Sequence, residues 1–114
     1  MIDLLAYWQA IAAQNELEIL RYFEENAVIV WNNTAEVFTP QQFAHINAVY
    51  PGSWQIELKK ALSCGDSLVT VVRIDDGRVS LHATSFFTLK EDRILHLEEY
   101  FSEDGEKPEW RNTL

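Results

Sequence analysis

The sequence predicts an α+β domain: three helices toward the N-terminus packed on one face of a curved antiparallel sheet. Two observations predict it. Up to Pro51 the chain carries apolar stripes at helical spacing, interrupted by one short hairpin, whereas from Ser53 onward it reads as strand broken by short turns. A third bounds the size. With 114 residues, 47% of them hydrophobic, the chain builds one core, so residues 1–114 form a single domain.

The elements follow in order. Leu4, Leu5, Trp8, Ile11 and Ala12 make a stripe at spacings of three and four, predicting a helix over 2–14. Asn15, with Glu18 three residues on, caps a second helix over 16–24. Ala27 to Trp31 is β-branched and aromatic, a strand. Asn32-Asn33-Thr34-Ala35 turns the chain, with asparagine in the left-handed conformation, and Glu36 to Phe38 returns. Thr39-Pro40-Gln41-Gln42 is a helix start with threonine capping, proline in the first turn and Gln42 closing a capping box. Phe43, Ile46, Val49 and Tyr50 give that helix its apolar face, and Pro51-Gly52 stops it. Four strands follow, over 54–63, 67–74, 79–89 and 93–101, joined by Cys64-Gly65-Asp66, Asp75-Asp76-Gly77-Arg78 and Lys90-Glu91-Asp92. The tail from Ser102 is acidic and carries Trp110.

Composition narrows the partners. Nine basic against eighteen acidic residues give a net charge of −9, which argues against nucleic acid and anionic membrane, since both need a basic footprint. The single cysteine, Cys64, leaves no intramolecular disulfide and no cysteine-rich zinc site, and fits a reducing cytoplasm. His45, His82 and His96 do not form a metal spacing, there is no phosphate-binding glycine loop, and no cofactor is implied. The N-terminus has no basic region before its apolar stretch, unlike a signal peptide, and no segment is long enough to span a membrane.

Turn arithmetic sets an expected register. Pairing Lys90 with Arg93 puts His82 opposite Phe101, Thr84 opposite Glu99 and Phe86 opposite Leu97. Pairing Ile74 with Val79 puts Val71 and Val69 beside them. One face, the concave one, then holds Val69, Val71, His82, Thr84, Phe86, Leu97, Glu99 and Phe101. The convex face holds Leu68, Val72, Ile74, Leu81, Ala83, Phe87 and Tyr100. Both sets are apolar, and helices cover only one side, so a second copy of the chain is expected on the convex face.

The order of elements resembles the cone-shaped fold of the nuclear transport factor 2 superfamily, and within it the SnoaL-like, polyketide-cyclase-like branch. The resemblance is carried by Val30-Trp31-Asn32-Asn33-Thr34 through Glu36 to Phe38-Thr39, by Tyr50-Pro51-Gly52 with Trp54, by His82-Ala83-Thr84-Ser85-Phe86, by Glu98-Glu99-Tyr100-Phe101 and by Glu109-Trp110-Arg111. It implies a pocket between the helices and the concave face, and a homodimer through the convex face. It does not imply one chemistry, because the superfamily hosts enzymes and binding modules alike. Trp31 and Asn33 match the residue types with which limonene-epoxide-hydrolase-like relatives position a water, but His82 and Thr84 stand where those enzymes carry an arginine and an aspartate. Ketosteroid-isomerase-like relatives need a carboxylate base and a proton donor, and Glu99, Glu36, Tyr7 and Tyr50 offer those types.

The expected site follows from the register and the resemblance. Glu99 and His82 are the candidate acid–base pair, polar groups among apolar concave positions. Trp31, Asn33, Thr84, Phe86, Phe101, Tyr50 and Trp8 are the candidate ligand-binding residues, lining a mostly apolar cavity for a small, largely apolar molecule. Such a site serves an isomerase, cyclase or hydrolase. The alternatives are a non-catalytic ligand-binding module, or a structural dimer in which His82 and Glu99 merely share a core hydrogen bond.

Overall fold

The computed structural model describes residues 2–114. Its elements are α1 (Leu4–Ala12), α2 (Glu16–Leu20), β1 (Phe23–Trp31), β2 (Glu36–Phe38), α3 (Pro40–Val49), β3 (Gln55–Cys64), β4 (Ser67–Asp75), β5 (Ser80–Lys90) and β6 (Arg93–Glu103), with a terminal 3₁₀ turn over Glu109–Thr113. The helix starts follow their caps. The Asp3 carboxylate accepts from the Ala6 N–H at 3.1 Å and Asn15 from the Glu18 N–H at 3.3 Å. Thr39 and Gln42 make the reciprocal capping box, at 3.2 and 2.9 Å.

The six strands form one sheet in the order β2-β1-β6-β5-β4-β3. It is mixed, not wholly antiparallel: β1 runs parallel to β6, with Trp31 beside Glu99 and Ile29 beside Leu97. Two helices precede the first hairpin, and α3 follows it. α2 is shorter than its sequence suggests, because β1 begins at Phe23 rather than Ala27. The Glu24-Glu25-Asn26 stretch has little strand propensity of its own, but Phe23 pairs with Ile94 and both side chains are buried, so tertiary pairing overrides it. In the β1–β2 turn the left-handed residue is Ala35, at φ 55°, and neither asparagine.

The register of β5 against β6 departs from simple turn arithmetic. Lys90 does pair with Arg93 and Leu89 with Ile94, but Thr88 then pairs with His96, so Leu95 is an extra residue and the strand carries a bulge. Beyond it every pair is offset by one: Phe87 with Leu97, Ser85 with Glu99, Ala83 with Phe101. Strands β4 and β5 pair through Ile74 and Leu81, not Ile74 and Val79. The helix-covered face therefore holds Leu68, Thr70, Val72, Leu81, Ala83, Ser85, Phe87, Leu97, Glu99 and Phe101. His82, Thr84, Phe86, Val69, Val71 and Tyr100 lie on the open face. The expected faces of β4 and β5 are exchanged, while those of β6 stand, which is what a bulge between the two strands must produce.

Tyr7, Trp8 and Ile11 of α1 and Phe43 and Ala44 of α3 pack with Ile29, Val72, Phe87, Ile94 and Leu97 as one core. Tyr7 sits at its centre, edge-on to Trp8, Tyr22, Phe23 and Phe87 with ring centroids 5.1 to 6.3 Å apart. The helices do not reach the whole sheet. From Lys59 to Cys64 the side chains of β3 are exposed on both faces, and the radius of gyration, 15.1 Å, exceeds the value of about 13 Å typical of a compact chain of roughly this length.

Candidate functional site

One cavity of about 520 Å³ opens between α1, α3 and the end of the sheet where β1 and β6 finish. Its walls are sorted by chemistry. Trp31, Tyr50, Trp54 and Phe101 supply aromatic surface, and Ile11, Ile46, Ile56, Ile74 and Leu81 aliphatic surface. Gln14, Asn33 and Asn47 bring amides, and Glu36 and Glu103 bring carboxylates. The volume and the apolar balance are those of a small-molecule site.

Local structure fixes each wall. Trp31 ends β1, opposite Glu36 on β2 and beside Glu99 on β6. Its ring is edge-on to Phe38, Phe43 and Phe101, at 4.8, 6.1 and 5.6 Å. Asn33 continues the strand with its side chain: its Oδ1 accepts from the Phe101 N–H at 2.7 Å and its Nδ2 donates to the Phe101 carbonyl at 2.9 Å. That pair holds Phe101 in the wall. Gln14, in the left-handed region at φ 54°, donates from Nε2 to the carbonyls of Tyr50 at 2.6 Å and Asn47 at 3.0 Å, tying the end of α1 to the end of α3. Tyr50 and Trp54 meet edge-on at 5.9 Å on the outer rim.

Behind the Trp31 wall lies a buried polar row. Thr70, Ser85, Glu99 and Trp31 are successive partners across β4, β5, β6 and β1. Glu99 is only 4% exposed and does not line the cavity. Its Oε1 accepts from the Trp31 indole N–H at 3.1 Å and its Oε2 from the Ser85 hydroxyl at 2.5 Å. Burial pushes its carboxyl above the ordinary range, against the opposing pull of those two hydrogen bonds. Burial, and next the charge of Glu99, push the Tyr7 hydroxyl well above its ordinary value. The Tyr7 hydroxyl and the Thr70 hydroxyl have no hydrogen-bond partner among the described residues, so the row is polar without being fully satisfied.

The structure thus brings Trp31, Asn33, Tyr50 and Phe101 to the cavity and sets Glu99 directly behind it. It does not bring the other sequence candidates there. His82 lies on the open face, its Nδ1 2.5 Å from Asp104 Oδ1, far in register from Glu99. Thr84 pairs with Val71 and Tyr100 on that face, and Phe86 lies there edge-on to Tyr100 at 6.0 Å. The Leu95 bulge accounts for all three. Trp8 is a core residue of α1, buried away from the cavity, and its indole N–H has no hydrogen-bond partner among the described residues. The alternation Leu81, Ala83, Ser85, Phe87 is more core-like than His82, Thr84, Phe86, and was the signal for the true face. Gln14 and Glu103 carried no motif, and Trp54 stood in the resemblance beside Tyr50-Pro51-Gly52 without a site role.

Among the described residues no group of three or more histidine, cysteine, aspartate or glutamate side chains is arranged to hold a metal ion. No helix among the described residues is long and apolar enough to cross a membrane.

No protein-family model matches this chain, and no curated protein sequence does. Solved structures do. An NTF-2-like protein of unknown function from Burkholderia xenovorans is similar at a TM-score of 0.83 and 21% identity, covering 96% of this chain and 88% of that one. A candidate ketosteroid isomerase from Kribbella flavida is similar at a TM-score of 0.82 and 21% identity, covering 97% and 83%. A protein with a ketosteroid-isomerase-like fold from Catenulispora acidiphila, in complex with trimethylamine, is similar at a TM-score of 0.76 and 14% identity, covering 87% and 84%. At such identities the likeness is one of fold, and it agrees with the element order and the sheet: this chain has an NTF2-like α+β fold.

Proposed function

We propose that the protein is a single SnoaL-like domain that binds a small, largely apolar molecule in the cavity walled by Trp31, Phe101, Tyr50 and Trp54. The observation that carries this reading is the cavity itself: a space of about 520 Å³ with a mostly apolar lining and only a few polar groups. The trimethylamine bound to the Catenulispora protein supports it, as a small molecule held by the same fold. Binding, rather than acid–base catalysis by Glu99, is the better-supported activity. Both Glu99 oxygens are occupied by Trp31 and Ser85, and the carboxyl does not line the cavity. Glu99 acts as a positioning residue for the indole. The exposed thiol of Cys64 supports a reducing, cytoplasmic setting.

We further propose a homodimer through the open sheet face. Support comes from Phe86 and Tyr100, 43% and 46% exposed on a face that no helix covers, and from the two-sided exposure of β3 beyond Leu58.

Leu81→Trp tests the cavity reading by filling it from the sheet side. Titrated with 2-naphthol and followed by naphthol fluorescence, the variant should bind at least tenfold more weakly than the wild type while staying folded by circular dichroism. Equal binding by a folded variant would contradict the assignment.

A further inference from the structure

The cavity has a chemical bias that size and apolarity do not explain. Among the described residues its charged lining consists of Glu36 and Glu103, with no lysine, arginine or histidine. Both carboxylates belong to the helix-covered side. Glu36 is the register partner of Trp31 and Glu103 that of Leu81, and Trp31 and Leu81 are themselves cavity walls. Among the described residues neither carboxylate is in an ion pair. Arg73 lies on the open face beside His82 and is paired there with Asp75 at 3.0 Å and Asp104 at 3.6 Å. The Thr34 hydroxyl donates to one Glu36 oxygen at 2.6 Å, which orients the group and leaves its charge uncompensated.

An apolar anion entering this space would meet two carboxylates and no base. A neutral apolar molecule would gain only the apolar walls, since Glu36 and Glu103 are both exposed and keep their water. A cation gains those walls too, and in addition is attracted to the carboxylates and to the aromatic lining of Trp31, Trp54, Tyr50 and Phe101. Tryptophan is the strongest partner for such a charge, and two of the four aromatic walls are tryptophans. The amide nitrogens of Asn33, Asn47 and Gln14 donate to backbone carbonyls.

We infer that the ligand class of this cavity is an organic cation, an alkyl- or arylalkyl-ammonium whose apolar substituents fill the aliphatic end while its charge faces Glu36, Glu103 and the aromatic walls. This rests on the cavity reading proposed above and names its ligand class.

Three isosteric probes separate the possibilities on the full chain: benzyltrimethylammonium, its uncharged carbon isostere neopentylbenzene, and benzylsulfonate. Binding is followed by tryptophan fluorescence at low ionic strength. The cation should bind at least tenfold more tightly than neopentylbenzene, and benzylsulfonate should not bind. The double variant Glu36→Gln, Glu103→Gln keeps the shape and removes the charge. It should lose at least tenfold in affinity for the cation and stay within twofold for neopentylbenzene. If neopentylbenzene binds the wild type as tightly as the cation does, or if the double variant holds the cation unchanged, the cation inference falls and the cavity reading stands. If none of the three probes binds, the cavity reading falls with it.

Discussion

The indole N–H of Trp31 donates to the buried carboxyl of Glu99 at 3.1 Å, from the end of β1 to the neighbouring strand β6. One side of that tryptophan is a cavity wall and the other is anchored to a group that the solvent does not reach. The relationship couples the shape of the site to the polar row behind it, and removing either partner should be felt on both sides.

Trp31→Phe keeps an aromatic wall and deletes the donor. With Glu99 Oε1 left unpaired in the core, stability should fall by about 2 kcal/mol in chemical denaturation, within the usual range for a hydrogen bond to a carboxylate. Trp31→Ala also removes packing against Phe38, Phe43 and Phe101, so its loss should be larger, about 3–5 kcal/mol. Equal stability of the wild type and Trp31→Phe would show that the bond is not made in solution.

The pH dependence of stability should carry the signature of Glu99. Burial holds its native carboxyl above the ordinary value of 4.5. The folded state then binds the proton more tightly than the unfolded chain. That contribution is fully present below the ordinary value and is lost as the pH rises through the raised native one. Asp76 and Asp104 work in the opposite sense. The backbone N–H groups of Val79 and Arg78 lower the first, and the Ser80 hydroxyl is the main cause for the second. Their contributions are present above the ordinary aspartate value and are lost in stronger acid. The stability of wild type minus that of Glu99→Gln should therefore decline as the pH rises from 4.5 toward neutrality. A difference that stays flat across that window would remove Glu99 from the account.

Phe86 and Phe87 are adjacent and should respond in opposite ways. Phe86 points to the open face and Phe87, 2% exposed, to the core. Phe86→Lys should leave a folded protein that sediments as a monomer at micromolar concentration, where the wild type sediments as a dimer. Phe87→Ala should instead destabilise the fold by about 3–5 kcal/mol. A wild-type monomer at that concentration would end the dimer proposal.

Asn33→Ala strips the Phe101 backbone of both partners, the acceptor of its N–H and the donor to its carbonyl. Both bonds are exposed, so a loss of about 1 kcal/mol is expected from them, together with weaker probe binding as Phe101 loosens. Asn33→Asp restores the acceptor but not the donor, so it should recover part of the stability. No recovery would mean that the amide acts otherwise than as a backbone clamp.

Much of this was legible before the structure. Thr39-Pro40-Gln41-Gln42 determines a helix start through local hydrogen bonds alone, and local chemistry reads directly from sequence. The placement of Trp31 and Asn33 was also accessible, because a short hairpin leaves few alternatives. What failed was non-local. The parallel pairing of β1 with β6 joins segments separated by most of the chain, and the Leu95 bulge adds one residue that no turn motif announces. A single extra residue sent His82, Thr84 and Phe86 to the other face. Ser85 and Thr70 were missed for the same reason, although the small and apolar side chains that alternate with Ser85 pointed inward. Trp8 was misplaced because its helical stripe gives its buried side without saying whether that side meets a cavity or the core.

The four tryptophans supply the most direct test of the central claim, since their indole N–H groups report separately in a ¹⁵N–¹H correlation spectrum. Trp31 and Trp54 line the cavity, Trp8 is in the core, and Trp110 lies exposed in the C-terminal tail. Titration with 2-naphthol should shift the Trp31 and Trp54 indole signals in a saturable way and leave those of Trp8 and Trp110 in place. Saturable shifts confined to Trp110, or no saturable shift at Trp31, would contradict a ligand site in this cavity.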